Sequence, residues 1–281
     1  MSAKKRKSKE KKPKLSNDPL DTTMSLGDHL EELRLRLLYA LAGLALGAIL
    51  GLFFGRYIIN FIKQPYISVM NKQTSKQTTA PVEGKPDVSE VRGNTNLQTL
   101  APAEGFVSYI KISLVAGLLA SSPWVFYHIW MFVAAGLYPN ERRYIYMAVP
   151  FSAALFIIGA VFFVVVVAPL ALTFFLKFNN WLNLGSNWTF QKYIALITHL
   201  MLVFGIAFQT PIAIFFLNKT GLVSIKALSS SRKYVILVIV IVAAMATPPD
   251  VVSQIALAIP LYLLFELGII LSYIASRRKK S

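Results

Sequence analysis

The chain has 281 residues, of which 55% are hydrophobic and only 15% charged, with a mean hydropathy of +0.55. Soluble domains carry about 25% charged residues, so the composition predicts an integral membrane protein. The formal net charge of +16 comes without a basic stripe of interleaved aromatics, which speaks against nucleic-acid binding, and the absence of cysteine excludes disulfides, thiolate metal sites and a Cys nucleophile.

Residues 1–24 are polar and Lys-rich and are expected to form a disordered basic tail. This tail is not expected to be a cleavable signal, because its basic stretch leads into further polar residues and then into an overlong apolar span. Next comes Leu26-Gly27-Asp28-His29-Leu30-Glu31-Glu32-Leu33-Arg34-Leu35-Arg36. Ser25 and Asp28 have the spacing of a loose capping box, which starts a helix near Leu26. Leu30, Leu33 and Leu37 fall on one face, and Glu32 and Arg36 lie four apart, in the favourable order for an ion pair.

Six apolar segments follow, at about 35–55, 106–131, 145–168, 193–217, 233–246 and 252–274. A spanning helix needs about 20 residues. The fifth segment has only about 14, so it must thin the bilayer or keep a wet end. The intervening stretches 57–104 and 169–192 read as large outer loops, the first either a lipid-free cap or a loose excursion, the second carrying interfacial Trp181 and Trp188. With both termini inside, 20 of the 29 Lys and Arg residues lie on the inner side, so six spans with N-in and C-in is the expected topology. Pro123, Pro150, Pro169, Pro211 and Pro260 are expected to bend the spans into a curved wall. The fold expected is therefore an all-α membrane protein of six transmembrane helices. Its membrane domain covers 25–275, and 276–281 form a short basic C-terminal tail. No internal repeat is evident.

Three groups of residues stand out. Glu31, Glu32, Arg34 and Arg36 are either snorkelling anchors of a helix end or a receptor surface for a basic peptide, since a carboxylate takes a guanidinium bidentately. In the loop after the second span, Glu141 precedes Arg142 and Arg143. It either supports a helix start capped by Asn140 or supplies a second carboxylate at the depth of Glu32. At membrane depth lie Gln209 and Glu266. A carboxylate there costs roughly 2.5–3.5 kcal/mol on insertion scales, so Glu266 reads as a protonated hydrogen-bond partner or as part of a polar concavity with Gln209. His199 has no second ligand at metal spacing and reads as a helix-interface residue. Ser121 and Ser122 lack a nucleophile motif, and no phosphate-binding loop is present.

The ordered set His29-Leu30-Glu31-Glu32-Leu33-Arg34-Leu35-Arg36, Leu137-Tyr138-Pro139-Asn140-Glu141-Arg142-Arg143, Phe204-Gly205-Ile206-Ala207-Phe208-Gln209-Thr210-Pro211 and Thr247-Pro248-Pro249-Asp250 with Ser253-Gln254 resembles the TatC family. TatC is the membrane core of the twin-arginine protein translocase, and the resemblance covers about residues 25–275. It implies a non-enzymatic receptor and scaffold in the bacterial cytoplasmic (inner) membrane. Such a receptor binds signal peptides of folded cargo through paired arginines and works with TatA-like and TatB-like single-span partners. It uses the proton-motive force and no cofactor, surrounded by lipid and as a homo-oligomer within a larger complex. Carried over, Glu32 and Glu141 are the twin-arginine carboxylates, with Leu33, Arg34, Phe132 and Tyr138 shaping their surface. Pro65 matches an assembly proline in the first outer loop, Gln209 the polar residue of a concave groove, Asp250 an outer turn and Glu266 a partner-contact position. Some relatives have Glu where this chain has Gln209, many have Pro where it has Ala135, and the stretch 73–96 is longer than usual.

Two other classes compete with this reading. In a small-solute transporter, Gln209 and Glu266 would line a path; in an intramembrane hydrolase, Ser121 or Ser122 would act.

Overall fold

A segment that crosses lipid must satisfy every backbone N–H and C=O internally, so a single-chain span of this composition has to be helical. The computed structural model describes residues 26–77, 97–136, 139–184, 188–246 and 251–277, and its regular structure there is all helix apart from one isolated parallel bridge, Gln98 to Thr189. The elements are α1 (Leu26–Gln77), α2 (Glu104–Ala135), α3 (Pro139–Phe162), α4 (Ala168–Trp181), α5 (Phe190–Ala207), α6 (Thr210–Lys219), α7 (Ile225–Ser230), α8 (Arg232–Ala246) and α9 (Val251–Arg277). Five helical stretches, His29–Lys72, Glu104–Ala135, Tyr144–Trp181, Phe190–Lys219 and Gln254–Ser276, are long and apolar enough to cross a membrane. The fifth apolar segment forms α8, whose 15 residues rise only about 22 Å against a hydrocarbon core of about 30 Å. The tail 1–24 lies outside the described residues.

Two stretches expected as loops contain long helix. α1 runs for 52 residues, so 57–77 continues the first span and Pro65 sits inside a helix rather than in a loop. Buried Ile62, Tyr66 and Val69 give this extension an apolar face to dock, and docking outweighs one lost backbone bond at the proline. Residues 168–181 are α4, joined to α3 through a π-helical turn, Phe163–Val167. The widened turn admits Pro169 near the start of α4, where a missing N–H costs least.

The first extension, α4 and the start of α5 meet at one end of the molecule. Tyr66 packs on Trp188 and Tyr193, with ring centroids 5.7 and 5.6 Å apart, and the Tyr193 hydroxyl donates to the Ile62 carbonyl at 2.6 Å. The Gln98 N–H donates to the Trp188 carbonyl, and the Phe190 N–H to the Gln98 carbonyl, tying the strap before α2 to the entry of α5.

α1 and α2 pack antiparallel and very closely, on a ladder of glycines at every fourth position: Gly43, Gly47, Gly51 and Gly55. A β-carbon on Gly47 would lie 2.5 Å from the Gly117 carbonyl oxygen, and one on Gly51 would collide with the Ser113 carbonyl oxygen. Small residues at this spacing let helix backbones approach in lipid, where no hydrophobic effect drives helices together. Pro123, inside α2, cannot donate to the Leu119 carbonyl, and the Ser122 hydroxyl takes over that role at 2.8 Å.

Candidate functional site

The antiparallel ladder places the start of α1, the end of α2 and the start of α3 at one end. There the His29 ring stacks on Phe132, with centroids 4.6 Å apart and planes 23° apart. One helical layer deeper, the Trp124 indole N–H donates to the Tyr39 carbonyl at 2.9 Å, and buried His128 is enclosed by Tyr39, Trp124 and Tyr127. This aromatic column pins the charged first turns of α1 against α2.

Glu32 sits on that pinned stretch. Arg36 donates twice to one of its oxygens, Nε to Oε1 at 3.1 Å and Nη2 to Oε1 at 2.8 Å, as the four-residue spacing predicts. The other oxygen, Oε2, is buried and has no hydrogen-bond partner among the described residues. Glu31, Leu33 and Arg34 are exposed around it. Phe132 is half-buried beneath His29. After α2 the chain turns at Gly136, whose N–H donates to the Val133 carbonyl and where an added β-carbon would lie 3.6 Å from His29 Cε1. Glu141 belongs to the first turn of α3, five residues on. At no more than about 3.6 Å per residue its backbone lies within roughly 18 Å of that turn. The Glu141 side chain, Tyr138 and Asp250 lie outside the described residues.

Gln209 is in the break between α5 and α6, where Pro211 follows. Its amide Nε2 donates to the Ser152 carbonyl of α3 at 2.9 Å, and the Ser152 hydroxyl accepts the Trp130 indole N–H at 2.8 Å. The result is a polar seam joining α2, α3 and α6. Glu266 does not join it. The Arg232 guanidinium clasps both oxygens of Glu266 at 2.7 and 3.0 Å, and the Tyr262 hydroxyl donates to Oε1 at 2.8 Å. Glu266 is thus an ion-pair partner, neither the protonated hydrogen-bond partner nor the member of a concavity with Gln209 that the sequence led us to expect. The cation comes from the start of α8, which the turn through α7 brings beside the middle of α9. Arg232→Gln and Glu266→Gln should each lower the thermal midpoint by a few degrees. Their double variant should cost little more than either single, as a double-mutant cycle would read for one shared contact.

The serines of the hydrolase reading are engaged locally, Ser121 with the Leu118 carbonyl at 3.4 Å and Ser122 with that of Leu119. His199 is exposed on α5 rather than packed between helices.

Residues 28–260 match the family model described as Sec-independent protein translocase protein (TatC). The chain belongs to the TatC family. A TatC of Helicobacter pylori strain 26695 is 37% identical over 248 residues, 88% of this chain and 87% of that protein. One of Aquifex aeolicus is 34% identical over 258 residues, 92% and 98% of the two chains. A crystal structure described as the twin-arginine translocase receptor TatC superposes with a TM-score of 0.71 at 33% identity, covering 88% of this chain and 99% of that one. As a TatC family member the chain is a multi-pass membrane component of the twin-arginine translocase complex, not an enzyme.

Sequence reasoning passed over His29, His128 and the glycine ladder. The ladder had a readable signal, the four-residue spacing of Gly43, Gly47, Gly51 and Gly55. His29 and His128 had none, because the contacts that join them across helices, His29 with Phe132 and His128 with Tyr39, link residues 103 and 89 apart in sequence.

Proposed function

We propose that this chain is the receptor subunit of its translocase and takes the two signal-peptide arginines on Glu32 and Glu141. The observation that carries the reading is Glu32 Oε2, a buried carboxylate oxygen with no partner among the described residues, on a carboxylate that Arg36 already orients. A buried charged acceptor left unpaired costs about 1–3 kcal/mol or more, and an arriving guanidinium recovers it. The planar guanidinium suits this acceptor better than an ammonium, because it can donate to Oε2 and to a second carboxylate from one rigid fork.

In this reading both termini are cytoplasmic, as the concentration of Lys and Arg supports, and α8 is a sixth, short span that thins the bilayer locally. Bent helices around Gln209 form the concave wall that receives the apolar part of the signal. The membrane is the bacterial inner membrane, the energy source is the proton-motive force, and TatA-like and TatB-like single-span proteins complete the complex. Pro65 supports assembly through the α1 extension, Glu266 and Asp250 serve partner contact and an outer turn, and Leu33, Arg34, Phe132 and Tyr138 shape the receptor surface.

Binding of the detergent-solubilised protein to a labelled Arg-Arg signal peptide and its Lys-Lys counterpart tests the proposal. A preference for arginine of at least about tenfold is expected, the equivalent of 1.4 kcal/mol. Equal affinity for the two peptides would remove it.

A further inference from the structure

Opposite the receptor end, α4 and α5 enclose a cleft of ≈ 360 Å³. Asn179, Trp188 and Lys192 form its rim, and Leu172, Phe175 and Leu196 form its floor. The same three floor residues also line a second, apolar crevice, which continues past Phe163 and Leu200 to Leu257 of α9. That crevice has room for only ≈ 20 Å³, so the usable slot is the cleft itself, a polar mouth over an apolar floor. From Lys192 to Leu196 it descends four residues of α5, about 6 Å.

The mouth lies where the spans Tyr144–Trp181 and Phe190–Lys219 end, at the level of the membrane boundary. The Lys192 ammonium is exposed and has no ion pair among the described residues. The described carboxylates are elsewhere. Glu31 and Glu32 are at the far end of α1, Glu266 is held by Arg232, and Glu104 accepts the Leu100 N–H at 2.9 Å. Of the other cations at this end, Lys63 rests over the Phe190 ring, 5.0 Å from its centroid, and Lys177 is exposed on α4.

We infer that this slot binds an anionic phospholipid of the surrounding bilayer, its phosphate on Lys192 beside the Trp188 indole and one acyl chain on Leu172, Phe175 and Leu196. A small soluble anion would leave the apolar floor unused. The charge at the mouth selects the headgroup, and the slot below selects an acyl chain.

The test uses delipidated full-length protein in mild detergent, titrated with phosphatidylglycerol, phosphatidylcholine or inorganic phosphate and read by native mass spectrometry and by the thermal midpoint. Phosphatidylglycerol should be retained at roughly tenfold lower concentration than phosphatidylcholine and should raise the midpoint, while inorganic phosphate should not. Lys192→Gln should reduce phosphatidylglycerol retention to the phosphatidylcholine level. Lys177→Gln, an exposed cation on the same α4 end, should leave it unchanged. Leu196→Trp, which fills the floor, should reduce retention of both lipids. Equal retention of the two lipids by the parent protein overturns the site, and so does an equal loss in Lys177→Gln and Lys192→Gln. Stabilisation by inorganic phosphate equal to that by phosphatidylglycerol overturns the lipid assignment.

Discussion

Glu32→Gln is expected to abolish export of a twin-arginine cargo while leaving fold and Sec-dependent export intact. The substitution keeps the shape of the side chain and removes its charge. What the folded chain loses is one i,i+4 ion pair with Arg36, worth about 0.3–0.5 kcal/mol. What a bound signal peptide loses is a charge-assisted hydrogen bond to a buried oxygen, worth about 1.5–3 kcal/mol, or roughly 10- to 150-fold in affinity. Glu141→Gln should behave alike, and the double variant should bind no better than background. Peptide affinity measured beside the thermal midpoint separates the two effects. Normal export in both single variants and in the double would sink the two-carboxylate receptor.

The second large effect concerns the glycine ladder. Gly51→Ala adds one methyl group, yet that methyl meets the Ser113 carbonyl oxygen of α2 far inside van der Waals contact. The neighbour is backbone and cannot swing aside, so α1 and α2 must separate. Overpacking of this kind costs about 1–3 kcal/mol. In lipid the lost contacts are the main force holding the pair together. Gly105→Ala is the matched control, because a β-carbon there has nothing within 4 Å. Removing a helix glycine stabilises by about 0.4–1 kcal/mol when the site is open. The same substitution is thus expected to have opposite signs at positions 51 and 105. Denaturant titration in detergent micelles reads the difference, and a Gly51→Ala variant as stable as the parent would contradict the close packing of α1 on α2.

The aromatic column links the two predictions. The glycines bring α1 down onto α2, and only then can His29 reach Phe132 and Trp124 reach the Tyr39 carbonyl. Glu32 is presented on a helix whose first turns are fixed by packing against residues 85 to 103 positions away in sequence. A loosened ladder should therefore weaken peptide binding even with both carboxylates in place.

What the sequence determined by itself was local. Hydropathy places the apolar stretches, because lipid demands long runs of apolar side chains on hydrogen-bonded backbone. The start at Leu26 and the Glu32–Arg36 pair follow from spacing within one or two turns. The ordered motifs were enough to point to the family. The tertiary structure decided whatever depends on a partner from elsewhere in the chain. Residues 57–77 are helix because Ile62, Tyr66 and Val69 find the start of α5 to pack on. Glu266 belongs to Arg232 because α7 and α8 fold back beside α9, and Gln209 belongs to Ser152 because the break before Pro211 turns its amide toward α3. A side chain's own chemistry sets what it can bond. Which group it bonds is set by how closely two distant helices approach, and here four glycines on α1 let α2 come close.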